Sequence, residues 1–220
     1  MPSSATLSSL RDRLEITLQD SGNATWSTAD LDEALAQALE QYSRANPRRA
    51  IATLTLSSAG REVSLASVAG LLSVERVWWA YTAAAPEYPP HWREFELWPG
   101  PLLFIRAGAQ PQAGDVVRIW YTALHTLNGL NGATATTYPT GHDWILLAGA
   151  AARAALARAA GLGERLNVDG GVRGDLRAWA AAQEERFRAA LAEVARAEAA
   201  RASGLAGLAS LDRWDGPEWA

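Results

Sequence analysis

The sequence predicts an α+β protein in which an antiparallel β domain is inserted into a helical bundle. Apolar residues recur at helical spacing near both ends of the chain, whereas Thr and aliphatic residues alternate between turn signals in the middle. We therefore expect an N-terminal helical hairpin (1–50), an inserted β domain (51–124) and a loop with C-terminal helices that complete the bundle (125–203). An apolar C-terminal docking tail (204–220) follows.

Composition indicates a globular protein and excludes several kinds of chemistry. The chain has 220 residues, of which 49% are hydrophobic and 20% are charged. It has no Cys, which excludes disulfides, thiol catalysis and thiolate metal sites. The net charge is −4, and this mild acidity argues against a protein that grips a nucleic-acid backbone tightly. Because Arg153 and Arg158 interrupt the most apolar run, we expect no membrane span.

The N-terminal residues predict two helices joined by a turn. Leucines at helical spacing indicate a first helix over 4–20, which Gly22 or Asn23 can end in a left-handed conformation. The second helix has the clearest start signal in the sequence. A hydrophobic staple and a capping box are the structural features predicted there, formed by Trp26, Ser27, Asp30 and Leu31.

The C-terminal half predicts an Ala-rich helix and a long helix. Thr140 and Asp143 repeat the cap-plus-acid pattern at the start of the third helix, and the fourth helix is predicted over about 172–202. The tail beyond it keeps large apolar residues that need a surface on which to dock. These candidate docking residues are Leu205, Leu208, Leu211, Trp214 and Trp219.

The polar residues do not form a recognisable reactive motif. The three histidines lie far apart, and none has a second ligand at helical spacing. His142 and Asp143 beside Tyr138 can be drawn as an acid/base group, but helix capping explains Asp143 without catalysis. The Gly and Thr residues of the 125–142 loop match no phosphate-binding fingerprint, and the chain has no Lys. We therefore predict no catalytic, cofactor-binding or metal-binding residue.

The order of the parts resembles a known family. A helical hairpin with the start WSTADL (26–31), a β insertion, the exit strand with IWY (119–121), and two further helices resemble the head-to-tail connector proteins of tailed bacteriophages. These are also called adaptor or neck proteins. The resemblance covers residues 4 to about 202 and includes the stretch LRDRLEITLQDSGNATWSTADLDEALAQALEQYSR.

The resemblance implies a virion structural protein rather than an enzyme, and no cofactor. Family members form a ring, commonly twelve-fold, beneath the portal vertex, where they extend the DNA channel and offer an attachment surface to the tail. The implied partners are other copies of the chain, the portal protein and a tail, nozzle or tail-completion protein. DNA passes through without sequence-specific binding. The implied location is the neck of the virion, after synthesis in the host cytoplasm, and the tail (204–220) is implied to reach the portal.

Two alternatives stay open. The chain can be another structural component of a neck or tail tube, or a soluble enzyme or ligand-binding protein with a pocket under the 125–142 loop. Under the favoured hypothesis that loop joins the β insertion to the helical body. We expect it to be long because it contacts a neighbouring subunit or the channel.

Overall fold

The computed structural model describes residues 1–86, 90–163 and 170–211 and shows helices and a sheet in one chain. It divides into a helical unit, residues 1–46 with 126–220, and a β unit, residues 47–125. The predicted α+β class is confirmed. The helices of the described residues are α1 (Leu7–Leu18), α2 (Thr28–Ala45), α3 (Asp143–Gly163) and α4 (Gly170–Leu211).

The helical unit is built around α3, whose many alanines allow neighbouring helices to approach closely. Ala150, Ala151 and Ala155 are fully buried in α3. By length and composition α3 is apolar enough to cross a membrane, but 61% of that stretch is buried inside the protein. A helix buried to this extent is typical of a core. The side chains that join it in the core from α1, α2 and α4 include Leu10, Leu14, Leu31, Leu35, Tyr42, Phe187 and Ala190.

The β unit is one antiparallel sheet of six strands in the order β1-β6-β3-β4-β5-β2. Its first and last strands along the chain, β1 and β6, pair directly, and β6 lies between β1 and β3. The side chains on one face of the sheet pack against one another in a hydrophobic core. Val117, Ile119 and Leu103 belong to this core and have no exposed surface. The strands are β1 (Arg48–Thr55), β2 (Glu62–Ser64), β3 (Leu71–Trp79), β4 (Trp92–Trp98), β5 (Leu102–Arg106) and β6 (Val116–Ala123).

The loop after β6 pairs with the first residues of its own chain. The Ser3 N–H donates to the Tyr138 carbonyl oxygen at 2.8 Å, and the Leu7 N–H donates to the Asn128 carbonyl oxygen at 2.8 Å. The Thr136 hydroxyl donates to the Ala5 carbonyl oxygen at 2.5 Å. These bonds fix the loop within the helical unit. A contact of the loop with a neighbouring subunit or with the channel stays a prediction.

Several predicted boundaries need correction. The first helix runs over Leu7–Leu18, and Gln19 caps its C-terminal end in the left-handed conformation (φ 56°). Asn23, for which this conformation was proposed, also adopts it (φ 50°), but it lies in the turn after the helix. Helix α4 continues to Leu211, beyond the predicted end at about 202, so the first part of the predicted docking tail is helical. Thr140 is not at the N-cap position of α3, because the helix begins three residues later, at Asp143. The Thr140 hydroxyl donates to the carbonyl oxygens of Met1 and Pro2.

Candidate interaction surfaces

Capping side chains fix the entry of α2. The Ser27 hydroxyl oxygen accepts from the Asp30 N–H at 3.2 Å, and the Asp30 carboxylate accepts from the Ser27 N–H at 3.0 Å. Hydrogen bonds from Ser27, first from its hydroxyl, lower the pKa of Asp30. Trp26 and Leu31 are both buried in the helical core, and the Trp26 indole N–H donates to the Ala154 carbonyl oxygen at 3.0 Å. The sequence could not show this last bond, because it joins positions 128 residues apart.

A buried carboxylate organises the turn between α1 and α2. Asp20 accepts from the backbone N–H groups of Ala24, Thr25 and Trp26, at 3.0, 2.9 and 2.9 Å. These bonds, the one from Trp26 foremost, lower the pKa of Asp20 below its ordinary value of 3.8. Such a carboxylate stays ionised to satisfy backbone donors. Its role is therefore structural, and the sequence analysis did not single it out.

Tyr42, Asn46 and His142 form a polar cluster where α2 ends and α3 begins. The Asn46 amide donates to the Tyr42 hydroxyl oxygen at 2.6 Å, and that hydroxyl lies 2.6 Å from His142 Nδ1. Burial raises the pKa of Tyr42 to about 12. Burial, together with the positive charge of Arg201, lowers the pKa of His142 below 6.5. Both side chains are therefore neutral near pH 7, and the cluster holds the helices together through neutral hydrogen bonds.

Asp143 joins the start of α3 to the N-terminal residues. Its carboxylate accepts from the Ser3 hydroxyl at 3.0 Å and from the Arg13 guanidinium at 2.8 Å. Burial, and next the negative charge of Asp143, raise the pKa of the neighbouring Tyr138 phenol. The acid/base group drawn from Tyr138, His142 and Asp143 is therefore not a single cluster. His142 bonds with Tyr42, whereas Asp143 bonds with Ser3 and Arg13. A phenol with a raised pKa is a poor proton donor near neutral pH.

The histidines are not gathered into a metal site within the described ranges. His91 and His125 lie in the β unit and His142 lies in the helical unit. In those same ranges no three His, Asp or Glu side chains are placed to hold a metal ion together.

The outer face of the sheet carries an aromatic cluster that the sequence analysis missed. We call it the tryptophan face and define it by Trp78, Trp92 and Trp120 with the side chains beside them, Arg76, Tyr81 and Arg118. The Trp92 and Trp120 ring centroids are 4.9 Å apart and nearly perpendicular, and Trp78 lies 6.1 Å from Trp92. Such edge-to-face pairs are favourable geometries for aromatic rings.

Arginines cover the edges of the tryptophan face. The Arg76 guanidinium lies 5.3 Å from the Trp92 ring centroid, and the Arg118 guanidinium lies 4.6 Å from that of Tyr81. These are cation–π distances. Trp92 is 41% exposed although it is large and apolar. A surface that combines exposed Trp with Arg has the composition of a protein–protein interface core.

Sequence signals for this face were present but incomplete. Trp120 lies between the inward-facing residues Ile119 and Tyr121, so alternation along β6 directs it outward. Trp78 and Trp92 face each other across β3 and β4. The cluster forms only when β6 pairs with β3, and two other strands separate these two in the sequence. Composition does not specify that pairing.

The predicted docking residues of the tail are placed only in part. Leu205, Leu208 and Leu211 lie on α4, where the structure describes the helix but not these side chains. Trp214 and Trp219 lie outside the described residues.

The polar clusters of the described residues support the fold, and large aromatic side chains such as Trp92 are exposed, as is typical of proteins that act through their surfaces. The family model described as SU10 adaptor protein matches residues 5–212. The chain belongs to the SU10 adaptor protein family. It is a head-to-tail adaptor of a bacteriophage, a structural component of the virion, as the resemblance implied.

Two further comparisons contribute nothing to this assignment. No curated protein matches the chain. A solved chain described as the neck of an empty GTA particle, computed with C6 symmetry, is 18% identical. The match covers 77% of this chain and 85% of that one, with a TM-score of 0.30. The family assignment rests on the family model.

Proposed function

We propose that this adaptor works as a ring of identical subunits beneath the portal, where it extends the DNA channel and offers the tail its attachment surface. The observation that carries the proposal is the family match over nearly the whole chain, residues 5–212. The tryptophan face supports it, because Trp92 is 41% exposed at an aromatic cluster, and exposed aromatic surface is typical of proteins that assemble. Twelve subunits is the stoichiometry that the family resemblance favours.

The proposed ring assigns a task to each part of the chain. The helices form the bundle that builds the body of the ring, and the β domain is inserted into it as a separate contact module. The C-terminal segment, 204–220, binds the portal, while a tail, nozzle or tail-completion protein binds the opposite side. The ring operates in the virion neck after assembly in the host cytoplasm. DNA slides through it without sequence-specific contacts, which suits a chain of net charge −4.

The proposed mechanism needs no catalysis, cofactor or metal ion. The polar clusters around Asp20, Tyr42 and Asp143 are explained by helix and turn stabilisation. The role of the protein is to bury surface against its partners, so its specificity lies in shape and charge complementarity.

Electron microscopy tests this function. The purified chain is imaged alone and after incubation with portal-containing capsids that lack the adaptor. We expect ring density at the portal vertex and the gain of tail attachment in the same particles. Capsids without portal are the control, and they should remain bare. Failure to bind portal-containing capsids would overturn the proposal, and assembly into long stacked tubes would favour a tail-tube component instead.

A further inference from the structure

We infer that the tryptophan face of each subunit binds the acidic face of α1 in the next copy of the chain. The acidic face is defined by Asp12, Glu15 and Ile16. The inference rests on the proposed ring and goes beyond it, because it names the two surfaces that meet.

The tryptophan face presents apolar aromatic surface next to arginine side chains. Its centre is apolar, with Trp92 exposed to 41%, and Arg76 lies over that ring. The exposed guanidinium of Arg76 beside the exposed Trp92 indole fits a partner that brings carboxylates together with apolar surface.

The acidic face of α1 has the complementary properties. Ile16 is 70% exposed, so a partner can bury most of its side chain. Asp12 lies four positions before it and Glu15 lies next to it, so Asp12 and Ile16 share one side of the helix. An exposed apolar side chain beside two carboxylates matches an exposed indole beside two guanidinium groups.

The other charges of α1 are already engaged. The Arg11 guanidinium pairs with Asp32 at 2.8 Å, and that of Arg13 pairs with Asp143 at 2.8 Å. The first 46 residues carry seven carboxylates and three arginines, so this part of the helical unit is acidic. A positively charged partner surface is therefore attracted to α1.

A second copy of the chain is the occupant that satisfies both surfaces. The tryptophan face belongs to the β unit and the acidic face belongs to the helical unit, so every copy carries both halves. Contacts between two different surfaces of identical subunits are heterologous, and they close into rings when the rotation permits. DNA fits this face less well, because the bases of a duplex are already stacked and give Trp rings no partner.

Complementary charge reversal tests the contact. One variant carries Arg76→Glu, and the other carries Asp12→Arg with Glu15→Arg. Each alone places like charges opposite each other and should weaken subunit association on the order of 100-fold. An equimolar mixture of the two variants should assemble again, because alternating subunits restore opposite charges at every contact. The chain that carries all three substitutions should also assemble.

Control variants distinguish a loss of the proposed contact from a loss of folding. Arg186→Glu reverses an exposed arginine of α4 and should assemble like the wild type. Circular dichroism and thermal melts establish that each variant is folded. A further variant, Trp92→Ser, independently tests the apolar part of the contact. Assembly is measured by sedimentation and electron microscopy, alone or on portal-containing capsids, whichever supports wild-type rings.

The outcomes distinguish this inference from the proposed function. If Arg76→Glu and Trp92→Ser both form rings as the wild type does, the tryptophan-face contact is overturned and the proposed ring stands. Loss of assembly in both charge variants without recovery in the mixture would also overturn the assigned pairing. Wild-type protein that forms no ring even on portal-containing capsids would overturn the proposed function itself. Unchanged assembly with weakened DNA retention would assign the face to DNA and overturn the inference.

Discussion

At the scale of single residues, the turn between α1 and α2 depends on Asp20 rather than on the glycine of that turn. Gln19 adopts the left-handed conformation at the end of α1, and the Asp20 carboxylate then satisfies three successive backbone N–H groups. The sequence indicated a turn here, because Asp, Ser, Gly and Asn cluster. It indicated Asn23, which does adopt the left-handed conformation (φ 50°), but not Gln19, which adopts it at the end of the helix.

Trp26 joins α2 to α3 through both packing and a hydrogen bond. It is 9% exposed, and its indole N–H binds the Ala154 carbonyl oxygen at 3.0 Å. We expect Trp26→Ala to lower the free energy of unfolding by about 3 kcal/mol, the range for a buried aromatic residue. Trp26→Phe keeps most of the apolar contact and should lose less. Thermal and denaturant melts measure the difference, and a melt of Trp26→Ala equal to that of the wild type would exclude this role.

His142 gives the helical unit an acid-sensitive contact. Burial and the charge of Arg201 lower its folded pKa below 6.5, although Asp143 acts in the opposite direction. As pH falls, the unfolded chain therefore binds the proton first, and protonation favours unfolding. The contribution of His142 is complete above about pH 6.5 and declines as pH falls toward the folded pKa.

Denaturant melts between pH 7.5 and pH 5 measure this effect. His142→Gln removes the titrating group, so its stability should depend less on pH in that interval than the stability of the wild type. Parallel pH profiles of the two proteins would contradict the assignment of the acid sensitivity to His142.

At the scale of elements, the close packing of α3 on α4 requires a glycine. A Cβ atom at Gly149 would lie 2.9 Å from three atoms of the Phe187 ring, and that ring has no exposed surface. The Arg153 guanidinium lies 5.0 Å from the same ring and restricts it further. The ring therefore has little room in which to yield.

We expect Gly149→Ala to destabilise the protein by about 1–3 kcal/mol, because overpacking of a filled core exceeds the gain in helix propensity. Gly174→Ala is the matched control, since nothing lies within 4 Å of a Cβ atom there. That control should stabilise the helix by up to about 1 kcal/mol. If both substitutions raised the midpoint of thermal unfolding, Phe187 would have room to move and the packing argument would be wrong.

Strand composition was more predictable than strand order. The strand β6 was predicted at its observed limits, Val116–Ala123, because β-branched and aromatic residues fill it. Its position between β1 and β3 was not predicted, since the pairing of β1 with β6 closes a loop of about sixty residues. Local propensity carries no information on such long-range pairing. For that reason the tryptophan face emerged only from the three-dimensional structure.

At the scale of the whole molecule, charge and aromatic residues are divided between the two units. Residues 1–46 carry seven carboxylates against three arginines, whereas the β unit carries seven arginines against six carboxylates. The β unit also carries the tryptophan face, in which Trp92 is exposed. Sequence order and the resemblance indicated an adaptor, and the family match confirmed it. The surfaces through which an adaptor acts were less accessible to sequence reasoning, because a surface is assembled from strands and helices far apart in the chain.

The C-terminal segment provides the last prediction. The described side chains of α4 that enter the core, Ala180, Phe187 and Ala190, all lie before residue 202, and Val194 is partly buried against the same core. Deletion of 204–220 therefore removes none of these packing contacts, although it shortens α4. We expect the truncated chain to keep its circular dichroism spectrum apart from the lost helical turns, and to melt within about 1 kcal/mol of the wild type.

We further expect the same deletion to abolish binding to portal-containing capsids, because we propose that the apolar residues beyond 203 dock on the portal. A shorter deletion, 212–220, leaves all of α4 in place and separates the contribution of Trp214 and Trp219 from that of Leu205, Leu208 and Leu211. Co-sedimentation with capsids measures binding for both deletions. Full binding by the folded 204–220 deletion would show that the portal contact lies elsewhere on the adaptor, while loss with the shorter deletion would assign it to the two tryptophans.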